Sequence, residues 1–139
     1  MVDSLCPEHR SWNMSRIRSR DTKPELLLRS KLHRAGLRFR LHRRDLPGNP
    51  DIVLPKYSTV IFVHGCYWHR HKGCKKTTTP STRTNFWEAK FARNVERDEL
   101  NILAIKAAGW QPLVVWECEL KRDPMSVLKY IEQELRRQD

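Results

Sequence analysis

Two short apolar runs, close together in the chain, constrain the fold more than any other feature of the sequence. Residues 51–54 read Asp-Ile-Val-Leu and residues 59–64 read Thr-Val-Ile-Phe-Val-His, with Pro-Lys-Tyr-Ser between them. β-branched residues are frequent in both runs, which is typical of strands. Because the runs are almost continuously apolar rather than alternating, they predict strands that are covered on both faces. We therefore expect helices against each face of a sheet.

The rest of the chain supplies the helices that such a sheet needs. Helical periodicity and capping residues predict three helices, and two further apolar stretches predict strands. The predicted helices are residues 22–35, residues 85–108 in two pieces and residues 124–137, and the predicted strands are residues 37–41 and 113–116. The order αβββαβα predicts a single α/β domain, with a central mixed sheet flanked by helices.

Positive charge is concentrated in the first half of the sequence. The formal net charge is +11, and all of it falls in residues 1–76, while residues 77–139 are balanced. This asymmetry favours a nucleic-acid partner, because phosphates that pair with Lys and Arg release condensed counterions. A merely solubilising surface is the alternative, and it does not explain the asymmetry. Residues 1–20 are basic and aperiodic, and they predict an arm that is ordered weakly or only on a partner.

The sequence also bears on where the protein works. No apolar run approaches the ~20 residues of a membrane span, and the first residues lack the apolar core of a signal peptide. We therefore expect a soluble protein of the cytoplasm that does not engage a membrane.

Four Cys and His residues predict a structural zinc site. They are Cys66, His71, Cys74 and Cys118. Disulfides are disfavoured in a reducing compartment, so grouped Cys and His are weighed first as metal ligands. Three thiolates and one imidazole make a closed tetrahedral set, the structural kind of site. In the alternative interpretation, Cys66 and Cys118 are small buried hydrophobes and His71 belongs to a basic loop.

Asp51 and two histidines are the candidates for catalysis. Asp51 follows a Gly-Asn-Pro turn, where we expect an exposed carboxylate, and one carboxylate near phosphates is the minimum requirement for Mg²⁺. A cap or Asx-turn is the alternative. His64 ends the second apolar run and His69 lies in the adjoining loop. An imidazole can accept a proton near neutral pH, and the convergence of all three residues at strand ends favours a catalytic role over a structural one.

An acid and four aromatic residues leave alternatives open. Glu25 lies in the first turn of a predicted helix, three residues after a Thr, so a capping box explains it without any function. Tyr67 and Trp68 lie between predicted zinc ligands and could stack on bases or wedge between them. Of the adjacent pair Phe86 and Trp87, one should face inward, and the sequence does not say which. For Trp87, core packing and DNA contact are both open.

Several motifs stand in order between about residue 12 and residue 120. They are Asp-Thr at 21–22, Leu-Pro-Gly-Asn-Pro-Asp at 46–51, His-Gly-Cys-Tyr-Trp-His at 64–69, Thr-Arg-Thr-Asn-Phe-Trp at 82–87, Asn-Val-Glu-Arg-Asp at 94–98 and Val-Trp-Glu-Cys at 115–118. Together they resemble the very-short-patch-repair (Vsr) endonuclease family.

The resemblance implies a fold and a reaction. The fold would be restriction-endonuclease-like, related to the PD-(D/E)XK nucleases. The reaction would be a nick on the 5′ side of the thymine in a T:G mismatch, which arises when 5-methylcytosine deaminates, and it would initiate very short patch repair. Residues 1–20 would be a DNA-contacting arm and residues 21–139 the endonuclease domain. The protein would act as a monomer on double-stranded DNA. Other mismatch-repair proteins would be possible partners.

The resemblance also implies roles for individual residues. Asp51 and the backbone carbonyl of Val63 would bind catalytic Mg²⁺, two ions in all. His69 would activate water, His64 would lie beside the scissile phosphate, and Glu25 would hydrogen-bond a water bound to the metal. One structural Zn²⁺ would be bound by Cys66, His71, Cys74 and Cys118. The residues that would contact DNA are Tyr67, Trp68 and Trp87 beside the mismatch and Met14 in the minor groove.

Two other functions also fit the sequence. One is a nuclease with broader mismatch or restriction-like specificity. The other is a zinc-stabilised DNA-binding module without catalysis, which the pairing of Asp51 with His69 disfavours.

Overall fold

The computed structural model describes residues 22–41, 43–66, 69–74, 77–79 and 81–137. The predicted arm with Met14, and the aromatic pair Tyr67 and Trp68, lie outside these described residues.

The described part of the chain forms helices and strands in the predicted order, with one helix added. The helices are α1 (Lys23–Arg34), α2 (Thr84–Ala107), α3 (Glu117–Arg122) and α4 (Pro124–Arg136), and the strands are β1 (Arg40–Leu41), β2 (Ile52–Leu54), β3 (Thr59–His64) and β4 (Gln111–Trp116). A 3₁₀ turn, Pro55–Tyr57, joins β2 to β3.

The four strands form one mixed sheet in the order β1-β2-β3-β4. β1, β2 and β3 pair in antiparallel fashion, and β3 pairs with β4 in parallel. Parallel neighbours need a long crossover connection, which α2 provides here. The register places His64, at the end of β3, beside Trp116, at the end of β4. The predicted mixed α/β architecture is confirmed.

Apolar side chains cover the sheet on both faces. On one face, Val53, Val60 and Phe62 pack against Ile105 of α2, and we call this the α2 face. On the opposite face, a larger cluster joins the sheet to α1, α3 and α4. Its members include Leu28, Leu32, Ile52, Ile61, Leu113, Leu120, Val127, Leu128 and Ile131. The continuous apolar runs therefore mark strands buried on both sides, as predicted.

The structure differs most from the sequence prediction at three elements. α2 is one continuous helix rather than two pieces, because no Gly or Pro interrupts Thr84–Ala107. β1 spans only two residues instead of five. α3 was missed, since six residues are too few to show a helical period, and its buried Leu120 anchors it to the core.

None of the described helices combines the length and the apolar character that crossing a bilayer would require.

Candidate active site

Asp51 lies immediately before β2 and faces the neighbouring strand. Its N–H donates to the carbonyl of Ile61 at 3.1 Å, and its Oδ2 accepts a hydrogen bond of 2.6 Å from the N–H of Val63. This long-range bond takes the place of the Asx-turn considered above. The expectation of an exposed carboxylate is wrong, because the side chain is half-buried. Burial raises the pKa of Asp51 to about 7, so a bound cation would stabilise the ionised form that burial disfavours.

Glu25 brings a second carboxylate to Asp51 from α1. The side chain of Glu25 is buried. Burial of Asp51 is the main cause of its raised pKa, and the charge of Glu25 and a hydrogen bond between the two side chains raise that pKa further. Arg29, one turn along α1, pairs with Glu25 at 3.3 Å. Thr22 makes no capping hydrogen bond with its side chain, so the capping-box interpretation is wrong. Glu25 belongs to an acidic pair at the end of the sheet.

His64, the last residue of β3, is held between two rings. Its imidazole stacks on that of His69, with ring centroids 4.0 Å apart and planes 4° from parallel. On another side it meets Trp116 edge-on at 5.2 Å. Burial, and then the charge of His69, lower the pKa of His64 to about 4, although Asp98 opposes the shift. His64 is therefore neutral at physiological pH.

His69 is oriented by an acid from a different element. Its Nδ1 lies 2.6 Å from Oδ2 of Asp98 on α2, and its backbone N–H donates to the carbonyl of Gly65 at 3.1 Å. When Nδ1–H donates to the carboxylate, Nε2 carries the ring's lone pair and can accept a proton. This is the arrangement of a general base with its orienting acid.

Asp98 is a candidate functional residue that sequence reasoning did not assign. It is part of the Asn-Val-Glu-Arg-Asp motif, but no role was attached to it. A signal was present, since Asn94, Asp98 and Asn101 follow one another at helical spacing on one face of α2. All three line a cleft together with His69.

The candidate catalytic residues open onto one pocket of about 620 Å³. Its walls come from the turn before β2, the end of β3, the loop after β3 and α2. The lining residues are Arg44, Gly48, Asn49, Asp51, Phe62, Val63, His64, His69, Asp98, Asn101 and Ile102. The structure thus brings together Asp51, His64 and His69, which sequence reasoning placed at strand ends and in the adjoining loop.

Within this pocket, geometry favours Asp51 over the histidines as the metal ligand. Ligand atoms of His64, His69 and Asp98 lie within 4.8 Å of one another. A histidine nitrogen binds a metal in the plane of its ring, however, and the two rings are stacked and nearly parallel. Parallel rings cannot both direct an in-plane lone pair at one ion. The oxygen ligands that Mg²⁺ prefers are available at Asp51.

A second cluster of ligand atoms lies next to the pocket. The structure brings the four predicted zinc ligands together, with their donor atoms within 4.8 Å of one another: Cys66, His71, Cys74 and Cys118. His71 Nδ1 lies 3.6 Å from Cys66 Sγ and 3.3 Å from Cys118 Sγ. In a tetrahedral zinc site, ligand atoms about 2.0–2.3 Å from the metal are separated by about 3.5 Å. The four residues therefore fit a zinc ion.

The chemistry of the donor set agrees with this fit. Burial raises the pKa of the Cys66 thiol to about 12. Because thiolates are the metal-binding form, a bound cation would be needed to hold Cys66 deprotonated at neutral pH.

Trp116 joins the Cys/His cluster to the catalytic pocket. His71 stacks on its ring at 4.2 Å and 9°, and His64 packs against it edge-on. The loop that begins at Cys66 carries His69 between two of the cluster residues. The position of His69 therefore depends on the conformation of the loop that the cluster holds.

The adjacent aromatic residues Phe86 and Trp87 differ in exposure. Trp87 is 8% exposed and packs against Phe91, whereas Phe86 is 44% exposed. Arg83 lies over the ring of Phe86 at 4.6 Å. The structure therefore turns Phe86 outward and Trp87 inward in the free protein. A contact between Trp87 and DNA stays a prediction, as do the contacts of Met14, Tyr67 and Trp68.

Comparison with known proteins identifies the family of the chain. A family model described as DNA mismatch endonuclease Vsr matches residues 2–76. The type II nicking enzyme V.XorIIP of Xanthomonas oryzae pv. oryzae is 50% identical over 120 residues, 86% of this chain and 88% of that protein. DNA mismatch endonuclease Vsr of Escherichia coli is 48% identical over 121 residues, 87% of this chain and 77% of that protein. The resemblance drawn from the motifs is confirmed, and the chain belongs to the Vsr family of DNA mismatch endonucleases.

Proposed function

We propose that this protein cuts one strand of double-stranded DNA on the 5′ side of the thymine in a T:G mismatch. The mismatch would be the one left by deamination of 5-methylcytosine, and the nick would initiate very short patch repair. Membership of the Vsr family supplies the class of reaction, which is mismatch-directed nicking. The observation that carries the proposal is the convergence of Asp51, His64, His69 and Asp98 on one pocket.

Asp51, with the backbone carbonyl of Val63, is the proposed ligand set for catalytic Mg²⁺. The half-buried carboxylate supplies oxygen ligands and is tied to β3 by the 2.6 Å hydrogen bond from Val63. When bound, Mg²⁺ offsets negative charge on the scissile phosphate and lowers the pKa of water. Glu25, buried beside Asp51, adds a second acceptor for that water. The acidic pair supports a site for two ions.

His69 is the proposed general base. Its Nε2 removes a proton from the attacking water, whose oxygen forms a bond to phosphorus while the bond from phosphorus to the leaving sugar oxygen breaks. Asp98 holds the opposite edge of the ring at 2.6 Å and stabilises the imidazolium that results. Neutral His64, stacked on His69, limits its rotation and adds no competing charge.

Recognition of the mismatch is proposed to use aromatic side chains and the arm. Tyr67, Trp68 and Trp87 would insert beside the mismatch, and Met14 would contact the minor groove. A wobble pair opens at lower cost than a matched pair, which supplies part of the selectivity. The position of Trp87 in the first turn of α2, the helix that also carries Asp98, supports a link between recognition and the catalytic pocket.

The Cys/His cluster is the proposed site of one structural Zn²⁺, and the fold is proposed to be restriction-endonuclease-like. The first proposal is supported by the distances between ligand atoms, which fit a closed tetrahedral site. The proposed fold is supported by the mixed sheet. Asp51, just before β2, and His64, at the end of β3, line the same pocket.

The test is a strand-resolved nicking assay on labelled duplexes that carry T:G, every other mispair, or no mispair. We expect one product, cut 5′ of the mismatched thymine, and none when Mg²⁺ is omitted. Equal cleavage of other mispairs or of matched duplex would show a broader or restriction-like nuclease. Tight binding of T:G duplex with no product under any condition would show a DNA-binding module and would overturn the proposal.

A further inference from the structure

We propose that three arginines at the edge of the sheet, Arg38, Arg40 and Arg44, bind backbone phosphates of the DNA duplex beside the position of the cut. We call these residues the arginine row. The proposal rests on the proposed function for the identity of the polyanion. It concerns residues that belong to none of the motifs described above.

The charge of this region is of one sign. Between Glu25 and Asp45 the sequence contains seven Lys and Arg residues and no acidic residue. All three side chains of the arginine row are exposed. Within the described ranges, none of them has an acidic partner, so their charges are available to an external anion.

Arg43, in the same segment, differs from the arginine row because an acidic side chain of the protein pairs with it. Its guanidinium forms two hydrogen bonds with Asp45, at 2.6 and 3.0 Å, and lies 5.4 Å from the ring of Trp110. It is therefore engaged in holding the turn, and we leave it out of the arginine row.

Strand register places Arg40 on the face of the sheet that carries the pocket. Arg40 lies directly opposite Val53, and directly opposed residues point to the same face. Val53 packs on the α2 face together with Phe62, which also lines the catalytic pocket. Arg40 thus projects from the α2 face, at the outer edge of the sheet.

The two remaining members lie outside β1 and are placed by their surroundings. Leu37 and Phe39, the neighbours of Arg38, pack against the core cluster on the opposite face, whereas the side chain of Arg38 is exposed. Arg44 lines the catalytic pocket itself. The arginine row therefore leads from the edge of β1 to the site where the scissile phosphate would lie.

A different role for charge on an edge strand is protection against aggregation, and β1 is such an edge. That role is served by charges of either sign. The arginine row carries positive charge alone, which is what a phosphate backbone requires, since each contact releases condensed counterions.

The test measures binding of T:G and matched duplexes as a function of salt, without Mg²⁺ so that no cleavage occurs. In the triple variant R38A/R40A/R44A, we expect the slope of log affinity against log salt to become less steep by about 0.9 for each phosphate that is no longer neutralised, or up to about 2.7. The weakening should be equal on T:G and matched duplexes, because phosphate contacts carry no sequence information. The R38K/R40K/R44K variant keeps the charges and should retain most of the slope.

The matched control is K121A/R122A/K129A, which removes the same charge from exposed positions on α3 and α4, behind the opposite face. An unchanged slope in R38A/R40A/R44A, or an equal change in the control, would overturn the proposal. If the triple variant unfolds, the single charge reversal R40E is measured in its place. An unchanged salt slope in R40E would also overturn the proposal. Nicking by the parent protein is scored separately, so that failure of the proposed function is distinguishable.

Discussion

His69 and Asp98 are joined by a contact of 2.6 Å between Nδ1 and Oδ2, although 29 positions separate them in the chain. The loop after β3 supplies the imidazole and α2 supplies the carboxylate. The contact fixes both the tautomer and the orientation of the ring, which are the properties that a general base needs.

Replacement of Asp98 by Asn should slow nicking while leaving DNA binding intact. Asn can still hydrogen-bond the ring, but it does not stabilise an imidazolium, and it allows the wrong tautomer. We expect a loss in kcat on the order of 10²-fold or more, with KM little changed. Single-turnover nicking and mismatch binding measure the two effects, and E99Q, on the exposed neighbour in α2, is the control. A rise in KM at unchanged kcat would contradict an orienting role.

Replacement of Asp51 by Asn should abolish nicking and stabilise the metal-free protein at neutral pH. The pKa of Asp51 rises from 3.8 to about 7 on folding, chiefly by burial, so the folded state binds its proton more tightly than the unfolded chain does. The stability of the parent protein should therefore fall as pH rises from about 4 to about 7. D51N should remove this part of the fall.

The measurement for Asp51 is chemical denaturation of both proteins at several pH values, since the contribution of the Cys/His cluster is common to both and cancels in the difference. Mg²⁺ should raise the Tm of the parent protein but not that of D51N. Equal Mg²⁺ stabilisation of both proteins would show that the ion binds elsewhere.

Removal of a cluster thiolate should lower zinc content and stability together. In C66S the ligand set is incomplete, and because metal binding is coupled to folding, we expect a decrease of several kcal/mol in the free energy of unfolding. Elemental analysis and thermal denaturation test this. C6S, in the predicted arm, is the matched control and should keep one zinc per chain. Full stability in a zinc-free C66S protein would refute a structural metal.

Replacement of Gly48 by Ala should disturb the wall of the catalytic pocket. Gly48 has a φ of +74°, and an added Cβ would lie 2.8 Å from the Cβ of Asn101. We expect the backbone conformation to cost about 1 to 2 kcal/mol and the collision to add about 1 to 3 kcal/mol, with slower nicking. The matched control is G36A. Gly36 has a φ of +80°, and an added Cβ would have no atom within 4 Å, so this variant measures the backbone cost alone. Equal destabilisation in G36A and G48A would mean that the collision relaxes freely.

The central strands were predictable because their pattern is local. β3 was predicted at residues 59–64 and is found at Thr59–His64, since a run of β-branched residues buried on both faces has no other good conformation. The four cluster residues were likewise predictable as a group, because Cys and His at such spacings have few structural uses in a reducing compartment.

The inward and outward directions of side chains were not predictable in the same way. Trp87 and Phe86 are adjacent aromatic residues of similar hydrophobicity, and only the packing of α2 against its neighbours turns Trp87 inward. Glu25 satisfied a local capping pattern, yet its side chain is buried beside Asp51. A local pattern indicates which contacts a residue can make with its neighbours in the chain. It does not indicate which residues from other elements will pack against that residue.

The sequence by itself indicated the central strands, the class of reaction, and Asp51, His64 and His69 as candidate catalytic residues. It did so through period, turn chemistry and motif, which act over a few residues. Only the tertiary structure decided that Asp98 orients His69 and that Trp116 stands between the two histidines, His64 and His71. Those contacts arise from strand register and from the seating of α2 on the sheet, and both depend on packing between residues far apart in the chain.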